Sequence, residues 1–205
     1  MSGGSWEESC TAFADAAAWF VTTTAAVGDR WSQPGLGEWD VRALVGHTSR
    51  ALLTVEEYAA RPAATVEHAS PGDYFRAARA IANGPDVAER GRAAGALLGE
   101  HPAAAIATIA DRVVPALASL SSEQLVTTVV GGMRLADYLP TRTFELAVHT
   151  ADLARALRLP VDVPDTAAAA ALAITADLAL GSGRAGALLL AATGRAGALD
   201  GLSVL

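Results

Sequence analysis

Apolar residues recur at three- and four-residue intervals along most of this chain, the spacing of a buried helix face. Ser5 followed by Glu8 forms a capping-box pattern, and Ala12, Phe13, Ala16, Trp19 and Phe20 come after it. These positions predict a first helix over 6–26. One proline and three glycines then accompany Trp31 and Trp39 in what reads as a long ordered loop, 28–39. Asp40 is a good N-cap for a second helix, which runs to about Ala60 and stops at Arg61-Pro62. After a polar connector at 61–72, shorter helical stretches follow over 73–83 and 86–98. Another starts at Pro102, a favourable first helical position, and reaches Leu120.

Only 124–133 departs from helical spacing. Leu125-Val126-Thr127-Thr128-Val129-Val130 before Gly131-Gly132 reads as a short strand and turn. A long helix over 139–157 carries Pro140 in its first turn, and two alanine-rich helices, 164–180 and 184–192, close the pattern. The expectation is an all-α fold: a helical bundle with extra short helices and one short β-hairpin near 125–134, in a single domain spanning 1–205. The helices at 164–192 would pack on that bundle.

Composition sharpens this picture. The chain has 205 residues, is 52% hydrophobic and 18% charged, and carries a formal charge of −7. By count 48 residues are alanine, and all 15 basic residues are arginine. Abundant alanine with few aromatics favours helix over sheet. The acidic balance without a basic cluster excludes nucleic acid and anionic membranes as expected partners. Without lysine there is no Schiff-base, P-loop or catalytic lysine. Cys10 is the only cysteine, which precludes an intrachain disulfide and fits the reducing cytosol. Residues 1–8 lack the basic start of a signal peptide, and the longest greasy run, 167–180, is too short to span a membrane. That run reads as a buried helix, and the protein as soluble and cytoplasmic. Close-packing alanine faces suit a homodimer.

The candidate chemistry lies in Arg142-Thr143-Phe144-Glu145-Leu146-Ala147-Val148-His149-Thr150-Ala151-Asp152. On a helix, Arg142, Glu145, His149 and Asp152 fall within one arc of about 80°. Leu146, Leu153 and Leu157 flank the arc on one side, Phe144 and Val148 on the other. Thr143, Ala147, Thr150 and Ala154 lie opposite. Charges bracketed by bulky apolar residues point inward, where they need partners or a metal. Glu145 and His149, at i and i+4, can share one ion. Among the other histidines, His68 and His101 sit in polar or helix-start positions that read as solvent-facing. His47 shares a helix face with Leu44, Ala51, Thr54 and Tyr58 and can look into a bundle, with Ala43, Gly46 and Ala51 leaving room for a ligand. Taken singly, Glu145 with His149 reads first as an i,i+4 surface pair, and His47 as a hydrogen-bonded core histidine. Asp152 is either an acceptor orienting His149 or a plain surface acid, and Arg142 or Arg50 could hold a bound carboxylate, although Arg50 reads first as a solvated helix charge.

Two segments together resemble a known family. Trp31 to His47, with Pro34, Trp39, Val41 and Gly46-His47, is similar to the Trp-x-Val…His stretch of the mycothiol-dependent maleylpyruvate isomerase family. Leu139 to Leu153 is similar to its Arg-x-x-Glu-x-x-x-His-x-x-Asp-Leu helix. The resemblance covers about 5–160 in order and spacing, and the stretch from Thr193 to Leu205 is similar to the end of short members. It implies a DinB-like four-helix bundle whose metal ligands are His47, Glu145 and His149. Arg142 and Asp152 match motif positions behind the metal or facing the substrate. The family's two-domain isomerases carry a sterol-carrier-like domain for which this chain has no room, so the likeness is to a short form. The implied cofactor is a divalent metal, Zn2+ first, with Ni2+ or Fe2+ as alternatives, and mycothiol as co-substrate. The implied activity is transfer or isomerisation of a small electrophilic substrate. A non-haem oxygen-dependent enzyme, with the same two histidines and one carboxylate, and a non-catalytic metal-binding or dimerisation module stand as the alternatives. A separation above ~7 Å between His47 and Glu145, or a site without a cavity, would favour the module.

Overall fold

The Ser5 capping box forms as expected. In the computed structural model, which describes residues 5–82, 87–195 and 203, Glu8 N donates to Ser5 Oγ at 3.2 Å and Ser5 N to Glu8 Oε2 at 2.7 Å. Helix α1, Trp6–Ala25, follows, burying Phe13, Ala16, Ala17 and Phe20. Asp40 accepts from Ala43 N at 2.7 Å and starts α2, Val41–Ala59. Next come α3, Pro71–Ala82, α4, Val87–Leu97, and α5, Pro102–Ala116, which tightens into a 3-10 turn over Leu117–Ser119. Helix α6, Leu135–Ala156, is the central element and packs against α1, α2, α3 and α7, Asp165–Gly181. The last helix, α8, Ala185–Ala192, packs on α7 and buries no residue. Asn83 and Asp86, expected at helix ends, lie outside the described residues, as do 1–4 and 196–202 with 204–205. No helix among the described residues is long and apolar enough to cross a membrane.

The all-α class with a short hairpin is the observed one. That hairpin is β3, Leu125–Thr128, antiparallel to β4, Gly131–Arg134, and the segment 34–40 adds a second. There β1, Pro34–Leu36, pairs with β2, Trp39–Asp40, across a turn with Gly37 at φ +56°. A loop was expected over 28–39 because a two-residue strand leaves no alternation to read. The 61–70 connector also runs along β3 and β4: Thr127 N donates to Arg61 O at 2.7 Å and Glu67 N to Gly132 O at 2.8 Å. His68, expected in solvent, is therefore half-buried, with Nε2 2.9 Å from Val130 O.

Three further expectations are corrected. Helix α6 begins at Leu135, four residues before the expected start, so Pro140 lies inside it. The reason is local: Leu135 N and Ala136 N find acceptors in Gln124 O and Ser122 O, at 2.8 and 3.0 Å, which satisfies orphan donors of an earlier first turn. The 167–180 run is only half-buried, because α7 covers the bundle with Ala167, Ile174, Leu178 and Ala179 while Leu172 and Leu180 face outward. Finally, the space at Ala43 and Gly46 belongs to α4. A Cβ on Gly46 would lie 2.1 Å from Gly95 N, and one on Gly95 would lie 3.2 Å from Ala43 Cα. Two backbones meet there, and no ligand fits between them.

Gly46→Ala should therefore destabilise the chain despite the ~1 kcal/mol that alanine gains over glycine in a helix. The clash is with backbone, and overpacking of this kind costs about 1–3 kcal/mol or more. Urea denaturation should give a lower midpoint at unchanged slope. A midpoint equal to or above wild type would mean that α2 and α4 do not touch at these glycines.

Candidate metal centre

Helix α6 is buried nearly all round, and its polar stripe is the part that meets open space. Thr143, Ala147, Thr150 and Ala154, opposite the stripe, are buried, and Leu146, Leu153 and Leu157 lie in the main core. Phe144 joins a second cluster with Tyr58, Tyr74, Phe75 and Tyr138. Glu145, His149 and Asp152 keep side-chain exposures of 23%, 18% and 24%, which sets them at the rim of the packed interior.

The i,i+4 spacing puts His149 Nε2 3.2 Å from Glu145 Oε2. The i,i+3 spacing puts His149 Nδ1 3.3 Å from Asp152 Oδ2. A carboxylate at Nδ1 holds the imidazole in the tautomer that leaves Nε2 with its lone pair. His47 enters from α2, its ring 4.9 Å from the His149 ring and nearly perpendicular to it. Trp39, on β2, lies against the other side of His47 at 4.5 Å and donates from Nε1 to Ala88 O at 3.0 Å. His47, Glu145 and His149 each offer one donor atom within 4.8 Å of the other two. Bonds of about 2.0–2.2 Å to one ion need donors at most about 4.2 Å apart, so small side-chain rotations suffice. Two imidazoles and one carboxylate, with a carboxylate behind one imidazole, suit a divalent metal.

The electrostatics describe what such an ion would displace. Burial disfavours charge on His149, but its contacts with Asp152 and Glu145 outweigh this and raise its pKa to about 9. Burial likewise opposes charge on Glu145, yet His149, Arg142 and His47 together lower its pKa to about 2. His47 is lowered to about 4 by burial first, then by the neighbouring His149 charge. At neutral pH one proton thus sits on the histidine pair, and it sits on His149.

His47 and Glu145 also open on a cavity of about 480 Å³ lined by residues of α2, α3, α4, α6 and α7 and by Val129. Its walls include Thr54 and all three tyrosine-bearing helices, with Tyr58 and Tyr74 at the surface of the cavity and Arg142 beside them. The family described as mycothiol maleylpyruvate isomerase N-terminal domain matches residues 6–154. The chain belongs to this family. No curated protein and no solved structure matches it.

The match to the isomerase-family domain ends two residues past Asp152, so it spans every residue of the centre, while α7 and α8 follow it. The family is a mycothiol-related one of DinB-like metal-binding domains. Of the expected residues, His47, Glu145 and His149 converge, Asp152 contacts His149, and Arg142 lies on the cavity wall away from them. Arg50 is exposed but also lines the cavity. Tyr74 and Tyr138 were not foreseen, and Trp39 was marked only as part of the motif, without a role. Tyr138 precedes Arg142 by four residues, so starting α6 at Leu135 would have put it on the same stripe. Trp39 and Tyr74 reach the site from other elements and leave no periodic trace.

Two outcomes follow from the proton on His149. Metal uptake between pH 4 and 9 should release about one proton per ion, and affinity should rise about tenfold per pH unit up to about 9. Calorimetry in buffers of different ionisation enthalpy measures both. In metal-free protein, His149 contributes stability that is present below pH 6.5 and is lost as pH rises through about 9. His47 acts oppositely: neutral when folded, it lowers stability as pH falls from 6.5 through about 4. Thermal unfolding of chelator-treated protein should peak near pH 6.5, and His149→Ala should remove the alkaline decline. A flat profile across pH 6.5–9 in wild type would refute the assignment.

Proposed function

We propose that this chain is a metal- and thiol-dependent enzyme that transfers a small thiol, mycothiol, to an electrophilic substrate or isomerises that substrate through reversible thiol addition. The observation that carries this reading is the convergence of His149 with His47 and Glu145, the latter two at the edge of a cavity whose walls contain no cysteine. A divalent metal bound there, Zn2+ by preference for this donor set, supplies a position at which a thiol ionises near neutral pH.

The chain's own residues do the rest. Asp152 fixes the His149 tautomer, and Trp39 holds the His47 ring against rotation. Glu145, ionised well below neutral pH, contributes one negative charge to the ligand set. The cavity accepts the electrophile and keeps bulk water from competing with the thiol. Cys10 does not serve as nucleophile: it lies in a separate groove between α1 and α5, and burial with the nearby Glu7 raises its pKa. The chain has no lysine to take its place. Both features that would favour a non-catalytic module fail, since His47 lies within 4.8 Å of Glu145 in donor distance and the cavity is present.

Protein purified without chelator should hold about one metal ion per chain by elemental analysis, and that result separates zinc from iron. His47→Ala, Glu145→Gln and His149→Ala should each lower metal affinity by two orders of magnitude or more. Asp152→Asn should lower it about 10–100-fold, the range for a partner behind a ligand. Thiol consumption with a panel of activated alkenes and alkyl halides should require both metal and thiol. A wild-type chain without metal, or turnover undiminished by His149→Ala, would sink the proposal; oxygen uptake by an iron-loaded chain would replace it with the oxygen-dependent reading.

A further inference from the structure

Two buried glycines interrupt the 11 residues of α4, and a glycine inside a helix is unfavourable beside alanine. Gly95 is explained by the backbone contact with Gly46. Gly91, one turn earlier, faces a side chain instead. A Cβ there would lie 2.5 Å from both Cε2 and Nε1 of Trp39 and 2.8 Å from its Cζ2. Ala88, three residues before Gly91 and on the same face of α4, accepts from Trp39 Nε1 at 3.0 Å through its carbonyl. The indole therefore seats on α4, its nitrogen on one carbonyl and its edge over one bare Cα.

The same ring lies against His47, 4.5 Å between centroids. Strand β2 has only two residues and pairs with the three-residue β1, so the seat on α4 is what sets the depth of the indole. Helix α4 cannot recede from a larger residue at 91. Its backbone is in contact with α2 at Gly46 and Gly95, and Arg42 of α2 donates from Nε to Gly95 O at 3.0 Å and from Nη2 to Gly99 O. Ordinary contact to a Cβ begins near 3.4 Å, so a methyl at 91 asks a displacement of about 1 Å from the ring. His47 stands against that ring and moves with it. The three donors are already up to 4.8 Å apart, against the ~4.2 Å that bonds to one ion allow, which leaves no slack for a displaced imidazole.

We propose that Gly91 and Trp39 are positioning residues of the metal centre: α4, which supplies no ligand, sets the place of His47 by the depth at which it seats the indole. The role rests on the reading of His47, Glu145 and His149 as metal ligands, whereas the seat of the ring does not. Gly91 acts only through Trp39, and Trp39 only through His47. Loss of the seat therefore weakens metal binding without removing a donor atom.

Zinc affinity of the full chain, measured by competition with a chromogenic chelator, tests this with four variants. Gly91→Ala should weaken binding by about tenfold or more, the range for a disturbed partner behind a ligand. Ala93→Gly, on the exposed face of α4, loosens the same helix without touching the ring and should stay within about twofold of wild type. Trp39→Leu should also weaken binding, and adding Gly91→Ala to it should cost less than about twofold more, because the methyl then has no ring to displace. In chelator-treated protein, the His47 ring protons, assigned by their loss in His47→Ala, should move in the NMR spectrum of Gly91→Ala and not in that of Ala93→Gly. The NMR comparison and the two α4 variants keep the test decisive if Trp39→Leu does not fold. Unchanged affinity in Gly91→Ala, an equal loss in Ala93→Gly, a tenfold loss that persists without Trp39, or unmoved His47 resonances would each overturn the proposal. Moved resonances in a wild-type chain that takes up no zinc would uphold the seating of His47 by α4 and remove the metal reading instead.

Discussion

His149 lies between two carboxylates on a helix that the rest of the fold surrounds, and the bundle is arranged to make that placement tolerable. A lone buried carboxylate or imidazolium would shed its charge, because desolvation in a packed interior costs several kcal/mol per ion. Here the charges are spaced one turn apart on α6, so Glu145, His149 and Asp152 offset one another without any long-range design. Helical geometry alone fixes two contacts, and only His47 has to be delivered from elsewhere. The order of assembly in space follows: α6 in the centre, α2 laid against it, and the remaining helices closing over both.

Delivery of His47 depends on small residues that do not touch the site. Gly46 and Gly95 let α2 and α4 approach to backbone contact, and Gly91 makes room for the Trp39 ring. Trp39 in turn spans α4, through Ala88 O, and His47. One close crossing thus fixes the α2 axis, the tryptophan and the imidazole together. The high alanine content has the same sense throughout the bundle: helices whose facing side chains are short pack closely and transmit position stiffly.

How much of this could be read from residues alone varied with the range of the interaction. The ionisable stripe on α6 was legible because its members are three and four residues apart, and the capping residues Ser5 and Asp40 were legible for the same reason. His47 was recoverable as the one histidine on an apolar helix face. The hairpin at 34–40 was not, because its two strands are too short to alternate, and the half-burial of α7 was not, because alanine and leucine fill both faces. The start of α6 depended on carbonyls of Ser122 and Gln124, acceptors outside the helix that no periodicity reports. That single shift hid Tyr138, and with it the aromatic enclosure of Arg142. The space assigned to a ligand at Gly46 turned out to be filled by another backbone, since an empty side chain in sequence marks proximity without saying to what.

An acidic chain that gathers arginine at one cavity faces opposing electrostatic demands at different ranges. At a distance, a net charge of −7 repels an anion, but salt screens that repulsion beyond about 8–10 Å. Within the cavity, low-dielectric walls focus the field of the nearest cations, so Arg142 and Arg50 outweigh the distant surface acids. The metal ligands carry the other half of the balance. Glu145, ionised well below neutral pH, would bring one negative charge to a dication held there and leave the centre net positive.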